Sequence, residues 1–194
     1  RGLGDVYKRQ NLNCPYLTLL VSGGHCQFLI VKGVDSFYRL GGTIDDAPGE
    51  CFDKIASFLG IGYPGGPVIE TKSKKGNEER FDFPKPMYDN TFNMSFSGLK
   101  TAVKRQTENL IKMQGGLYQK DINDICASFQ KTATEIFKLK TKNAIKFFKE
   151  KYQNHKSLAV VGGVAANEKI KAELEQIAIE NSFNFFTVPA KYCT

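Results

Sequence analysis

The stretch from Thr18 to Val31, TLLVSGGHCQFLIV, decides how the chain is read. Leu19, Leu20 and Val21 run apolar into Ser22-Gly23-Gly24, and Phe28, Leu29, Ile30 and Val31 run apolar out again, so the pattern predicts strand, tight turn, strand. Adjacent glycines reach backbone conformations that other residues resist and let a ligand come close to the main chain. A turn of this kind can aim several N–H groups at one anion. The same pattern also suits a plain hairpin in a buried sheet, so the remaining segments must decide between the two.

Towards the other end a second glycine pair stands in a different setting. Leu158 to Val161 predicts a strand, Gly162-Gly163-Val164-Ala165-Ala166-Asn167 a turn, Glu168 to Glu180 a helix, and Phe185 to Val188 another strand. This is a βαβ unit in which the glycines lie where a strand hands over to a helix N-terminus, the place where α/β proteins bind ligands. It is neither G-x-G-x-x-G nor a Walker loop, which speaks against a dinucleotide fold or a P-loop.

Between the two lie a strand-like stretch, Ser36 to Leu40, and the segment GGTIDDAPGECFDKIASFLG from Gly41 to Gly60. Pro48 suits a first helical turn, and Phe52, Ile55, Ala56 and Leu59 recur at helical spacing. Glu50 and Asp53 share one face of that helix; with Asp45 and Asp46 they make four acids within nine residues, able to hold a cation or to accept hydrogen bonds from ribose hydroxyls. Tyr63-Pro64-Gly65-Gly66-Pro67 has the composition of a loop, Lys72 to Arg80 reads as polar and exposed, and Phe81 to Pro86 as extended. FNMSFSGLKT, from Phe92, opens a helix with Ser95 or Ser97 as its cap. After Gly115-Gly116, Asp121 is expected to cap a long helix whose apolar stripe is Ile122, Ile125, Phe129, Ala133, Ile136, Phe137, Ala144, Phe147 and Phe148; lysines, among them Lys131, Lys138, Lys142, Lys146 and Lys149, take the other faces.

The 194 residues are enough for a sizeable core, and 41% hydrophobic with 24% charged residues is the balance of a soluble protein; no apolar run is long enough to span a membrane. The five scattered cysteines never form C-x-x-C, which fits reduced thiols and a cytoplasmic location. His25 and His155 make no metal motif or triad. Net charge is +7, and Lys100 to Lys156 alone carries 13 Lys and Arg against 5 Asp and Glu. That clustering suits either a polyanion partner or a solvated helical face. Residues 1–14 read as an artefact or linker, and the chain is expected to be incomplete at both ends.

Taken in order, VSGGHCQ, GGTIDDAPGECFDK, YPGGP, MSFSGLKT and VVGGVAAN resemble the tRNA threonylcarbamoyladenosine transferases of the TsaD type, over about Pro15 to Thr194. The resemblance implies an α/β, ribonuclease-H-like lobe with helical insertions, of the fold shared by actin, Hsp70 and sugar kinases. Residues 15–194 would then form most of the second lobe, truncated before its C-terminal end.

It also implies an activity: transfer of the threonylcarbamoyl group from threonylcarbamoyl-AMP to the exocyclic amine of the tRNA adenosine adjacent to the anticodon, with TsaB-like and TsaE-like partners. Leu20, Val21, Ser22, Gly23 and Gly24 match the hairpin that meets the acyl phosphate. Asp53 and Gly66 match adenylate contacts, Glu50 a ribose partner, and Gly162, Gly163 and Asn167 the adenosine loop. The family's divalent metal, iron or zinc, is held by a His-x-x-x-His pair and by an aspartate after the Cys-Thr seen here as Cys193-Thr194, so its ligands are expected outside this chain. A non-catalytic partner of the same modification complex, or an ATP-dependent kinase or ATPase of the same fold, is the alternative.

Overall fold

The computed structural model describes residues 12–187. Five strands form one sheet: β1 (Tyr16–Val21), β2 (Cys26–Gly33), β3 (Ser36–Gly42), β4 (Ser157–Val161) and β5 (Asn184–Thr187). The sheet order is β3-β2-β1-β4-β5. β1, β2 and β3 are antiparallel neighbours, with Leu19 opposite Phe28, whereas β4 runs parallel to β1, with Leu20 opposite Val161, and β5 parallel to β4. The expected hairpin (β1 and β2) and the strands of the βαβ unit (β4 and β5) are thus both present and adjoin where β1 pairs with β4. The last predicted strand residue, Val188, lies outside the described residues, as do residues 1–11.

The helices are α1 (Pro48–Phe58), α2 (Gly65–Ser73), α3 (Ser97–Gln114), α4 (Gln119–Lys151) and α5 (Glu168–Glu180), with a short 3-10 turn at Gly163–Ala166. Strand alternation sends Leu17, Leu19, Phe28, Ile30, Leu158 and Val160 to the face that all five helices help to cover. Buried there are Phe52 and Ile55 of α1, Val103 of α3, Phe129, Phe137 and Phe148 of α4, and Leu174 of α5. The opposite face carries a smaller cluster of Tyr16, Val31 and Ala159, with Leu12, Cys14 and Phe186 packed on it.

Several expectations need correcting. YPGGP is not all loop: Gly65 and Gly66 open α2. The serines do not cap α3; Asp45, brought in from before α1, accepts from Ser95 Oγ (2.5 Å), Ser97 Oγ (2.7 Å) and the Phe96 N–H (2.9 Å). A carboxylate takes several donors where a serine hydroxyl would take one. α4 begins at Gln119, and Asp121 acts from inside the first turn, accepting the Tyr118 N–H at 3.2 Å. Nor is Lys72 to Arg80 wholly exposed. Arg80 spans Asp121 (2.7 Å) and Asp124 (2.8 Å), and the Asn77 N–H bonds Asp124 at 2.7 Å, which fastens this segment to α4. Ile122 and Phe147 of the apolar stripe are only partly buried, while Lys140 is fully buried within it.

Candidate functional site

The two glycine turns meet because β1 and β4 are parallel neighbours that end together. Gly162 has φ +109°, and a Cβ there would fall 2.1 Å from the Val21 carbonyl oxygen, so glycine alone lets the second turn sit against the first. In the first turn the Ser22 N–H bonds the His25 carbonyl at 2.7 Å and the His25 N–H bonds Ser22 Oγ at 3.0 Å. That closes the loop and leaves Gly23 and Gly24 exposed. Helix α1 begins directly on it: the Glu50 N–H bonds the Gly23 carbonyl at 3.2 Å, and Gly49 packs against Gly23 where a Cβ would come within 2.6 Å.

Around these turns lies a cleft of about 490 Å³ bordered by Gly23, Gly49, Phe52, Asp53, Tyr63, Pro64, Gly66, Pro67, Glu70 and the Gly163-to-Asn167 turn. Three helix starts border it: Gly49 in α1, Gly66 in α2 and Asn167, the N-cap of α5. Helix N-termini present N–H groups and partial positive charge, which suits an anion.

Side chains from neighbouring elements set these starts. Asp53 of α1 accepts the Gly65 N–H at 2.7 Å, and Glu70 of α2 accepts the Glu168 N–H at 2.8 Å. Asn167, almost fully buried, accepts the Ile170 N–H at 3.0 Å and donates to Gln130 Oε1 at 3.1 Å.

Of the residues expected at the site, the structure gathers Gly23, Asp53, Gly66, Gly163 and Asn167 around the cleft. Ser22 and Gly24 complete the turn beside it, whereas the Val21 side chain is in the core. Leu20 points to the other side of β1 from Leu19 and Val21. Gly162 supports the site by packing and does not border it. Glu50 does not border the cleft either: its carboxylate lies 2.5 Å from Lys54. Nor do the four acids form a cation site. Asp45 caps α3, Asp46 pairs with Lys100 and Lys54, and only Asp53 faces the cleft. Burial alone would raise the Asp45 carboxyl, but its hydrogen bonds from Ser95, Phe96 and Ser97 more than offset this and hold it below the usual range. Glu70 and Tyr63 border the cleft without having been expected; neither carries a local sequence signal beyond its neighbourhood to Gly66.

A second cavity of about 420 Å³ on the far side of Glu70 is lined by Lys74, Glu78, Glu168 and Lys169. Lys74 pairs with Glu168 at 2.8 Å and Lys169 with Glu78, so both lysines of that cavity already have carboxylate partners. Among the described residues no group of three His, Cys, Asp or Glu is placed to hold a metal ion. No helix among them is long and apolar enough to cross a membrane.

An α/β lobe with its ligand cleft at the ends of parallel strands is the class that the fold and the site define. The crystal structure of full-length HypF in the phosphate- and nucleotide-bound form shares this fold, with a TM-score of 0.61 at 11% identity over 96% of this chain and 32% of that one. The chain belongs to the TsaD family, tRNA N6-adenosine threonylcarbamoyltransferase, which it matches over residues 4–194. The transferase so named in Roseobacter denitrificans is 48% identical over 185 residues, 95% of this chain and 51% of that protein. Its counterpart in Paracoccus denitrificans is 48% identical over 181 residues, 93% and 49% respectively. The chain spans about half the length of the curated relatives it matches.

Proposed function

We propose that this chain is the substrate-binding lobe of a cytoplasmic enzyme that transfers a threonylcarbamoyl group from threonylcarbamoyl-AMP to the exocyclic amine of the adenosine beside the anticodon of tRNA. The observation that carries the reading is the meeting of three helix starts and two open glycine turns on one cleft. At Gly23, Gly24, Gly66 and Gly163 no atom beyond the adjoining backbone lies within 4 Å of where a Cβ would be, so the main chain there is open to a ligand. In this arrangement the Gly23-Gly24 turn and the start of α1 take the acyl phosphate, Asp53 and Gly66 the ribose side, and the Gly163-to-Asn167 turn the purine.

The amine attacks the carbamoyl carbonyl, the bond to the phosphate oxygen breaks, AMP leaves, and the amine gives up a proton. The protein's part is to align the two reactants and to neutralise the departing phosphate. The three buried cysteines do not fit the role of nucleophile: burial pushes the Cys51 and Cys126 thiols up to about 12 and raises Cys26 further still. The family's iron or zinc finds no ligand set among the described residues. TsaB-like and TsaE-like proteins are the expected partners.

The test supplies the full-length protein and those partners with synthetic threonylcarbamoyl-AMP and unmodified tRNA, then digests the tRNA and seeks threonylcarbamoyladenosine by mass spectrometry. The modified nucleoside is the expected product. Its absence, together with ATP hydrolysis or sugar phosphorylation, would transfer the site to a kinase or ATPase.

A further inference from the structure

The basic stretch that the sequence leaves undivided is divided by the structure. Lys100 pairs with Asp46, Lys104 lies 3.9 Å from Glu108, Lys131 2.6 Å from Glu79, Lys138 pairs with Glu173, and Lys140 is buried 2.6 Å from Asp89. Those cations already have carboxylate partners within the chain. The other eight cations of the stretch are exposed and have no carboxylate within ion-pair distance among the described residues, and three of them, Lys142, Lys146 and Lys149, are close neighbours on α4. They follow one another at i, i+4 and i+7, so they stand in one row along the outer side of α4, about 10 Å long at 1.5 Å per residue.

Like charges one turn apart weaken a helix, so such a row is best satisfied by an anion from outside. A second observation extends the surface. On the flank of the same helix, Lys151 and Lys32 of β2 hold their ammonium groups 5.6 and 5.7 Å from the ring centre of half-exposed Tyr38 on the edge strand β3. Glu150 and Asp35 are the acids nearby in sequence, and neither is in an ion pair among the described residues. Exposed lysines around an exposed aromatic ring suit a nucleic-acid strand, with phosphates on the cations and a base against the ring.

We propose that the outer row Lys142, Lys146 and Lys149 is the phosphate-binding surface of this lobe for structured RNA, with the Lys32–Tyr38–Lys151 cluster on its flank. The proposal rests on the tRNA-modifying reading above and adds where the RNA lies. Gln130, which holds Asn167 at the cleft, is on the same helix, and the row begins about 18 Å and ends about 28 Å further along its axis. The row also stands about 100–160° around the helix from Gln130, so an RNA with one base in the cleft meets it by wrapping onto the outer side of α4.

The experiment uses the full-length protein with K142Q/K146Q/K149Q and with K142R/K146R/K149R. tRNA binding is measured directly, without turnover, at several salt concentrations, and the KM for threonylcarbamoyl-AMP is measured alongside. Each lost phosphate contact removes about 0.7 to 0.9 from the slope of log affinity against log salt, so the glutamine variant should lose about 2 to 3 from that slope. The arginine variant should keep it, and the KM for the adenylate should not change. An unchanged slope in a folded glutamine variant overturns the proposal, as does loss of binding to a protein partner with tRNA binding intact. If wild-type protein binds tRNA with the expected slope but makes no threonylcarbamoyladenosine, the reading of the reaction fails while the surface stands.

Discussion

Gly65 and Gly66 are neighbours in sequence and open the same helix, yet alanine should act in opposite directions at the two. A Cβ at Gly65 would fall 2.5 Å from the Phe52 carbonyl oxygen and 2.7 Å from the Asp53 Cα, both backbone atoms of α1 that cannot step aside. Forcing atoms into a packed helix crossing costs about 1–3 kcal/mol, and more where only backbone can yield. At Gly66 nothing lies within 4 Å and φ is not in the left-handed region, so alanine only restricts the unfolded chain and stabilises by about 0.4–1 kcal/mol. At roughly 2–4 °C per kcal/mol for a domain of this size, Gly66→Ala should raise the melting temperature of the ligand-free protein by about 1–4 °C. Gly65→Ala should lower it by about 2–12 °C on the same scale. Scanning calorimetry reads both.

The function of Gly66 then appears as a second readout from the same variant. If the adenylate lies against this stretch of backbone, the added methyl should weaken binding at least tenfold, about 1.4 kcal/mol, while the fold gains stability. Melting shifts of the same sign for the two variants would refute the packing argument. A stabilised Gly66→Ala protein with unchanged affinity for a threonylcarbamoyl-AMP analogue would remove Gly66 from the site.

Burial alone would raise the Asp124 carboxyl, but the Asn77 N–H and the Arg80 guanidinium hold it below the usual range. Its contribution is therefore present above the unfolded value near 3.9 and lost as pH falls through the lower folded value. Asp124→Asn should cost about 2 kcal/mol at neutral pH, less than a fully buried pair because Arg80 stays 31% exposed, and should flatten the fall of the urea midpoint below about pH 4. Lys140→Met keeps the packed stem but removes the bonds to Asp89 Oδ1 (2.6 Å), the Asp89 carbonyl (3.2 Å) and the Thr91 carbonyl (3.1 Å). A loss of about 2 kcal/mol is expected, with earlier proteolysis between residues 87 and 93 as the local sign. Asn167→Ala should cost about 2 kcal/mol, as a lost cap and a lost donor to buried Gln130, and Asn167→Asp, which keeps only the acceptor for the Ile170 N–H, should recover part of it; equal melting temperatures for wild type and Asn167→Ala would refute the capping role.

Period-two and helical patterns made β1, β2, β4, α1 and α5 legible because each alternation is local. α2 was not, because GGPVIETKS shows a glycine pair, a proline and just one deeply buried side chain, Ile69, and the punctuation outweighed the helix. Pro67 sits in the first turn, where a missing N–H costs nothing, so the signal that looked like a loop was compatible with a helix start. Asp45 could not be read as the cap of α3, since its partners Ser95 and Ser97 are 50 and 52 residues away. Lys140 was nearer to legible. It stands at helical spacing between Phe137 and Ala144, inside the apolar stripe, and a lysine there demands a buried partner.

The candidate site also explains why its residues resist being sorted into structural and functional. Asp53 of α1 fixes the start of α2, Glu70 of α2 fixes the start of α5, and Gln130 of α4 holds the residue that caps α5. Asp53, Glu70 and Asn167, three polar side chains that border the cleft, are thus each also the clamp or cap of a helix start. Asp53 and Glu70 already accept the N–H groups at the starts of α2 and α5, so the donors still open to a phosphate are those of the glycine main chain at Gly23 and Gly24. A ligand that bonds to Asp53 shares it with the Gly65 N–H, so binding should tighten the α1–α2 crossing while filling the cleft. Gly65 permits that crossing through its missing Cβ, and Gly66, one residue on, leaves room for what the crossing is built to hold.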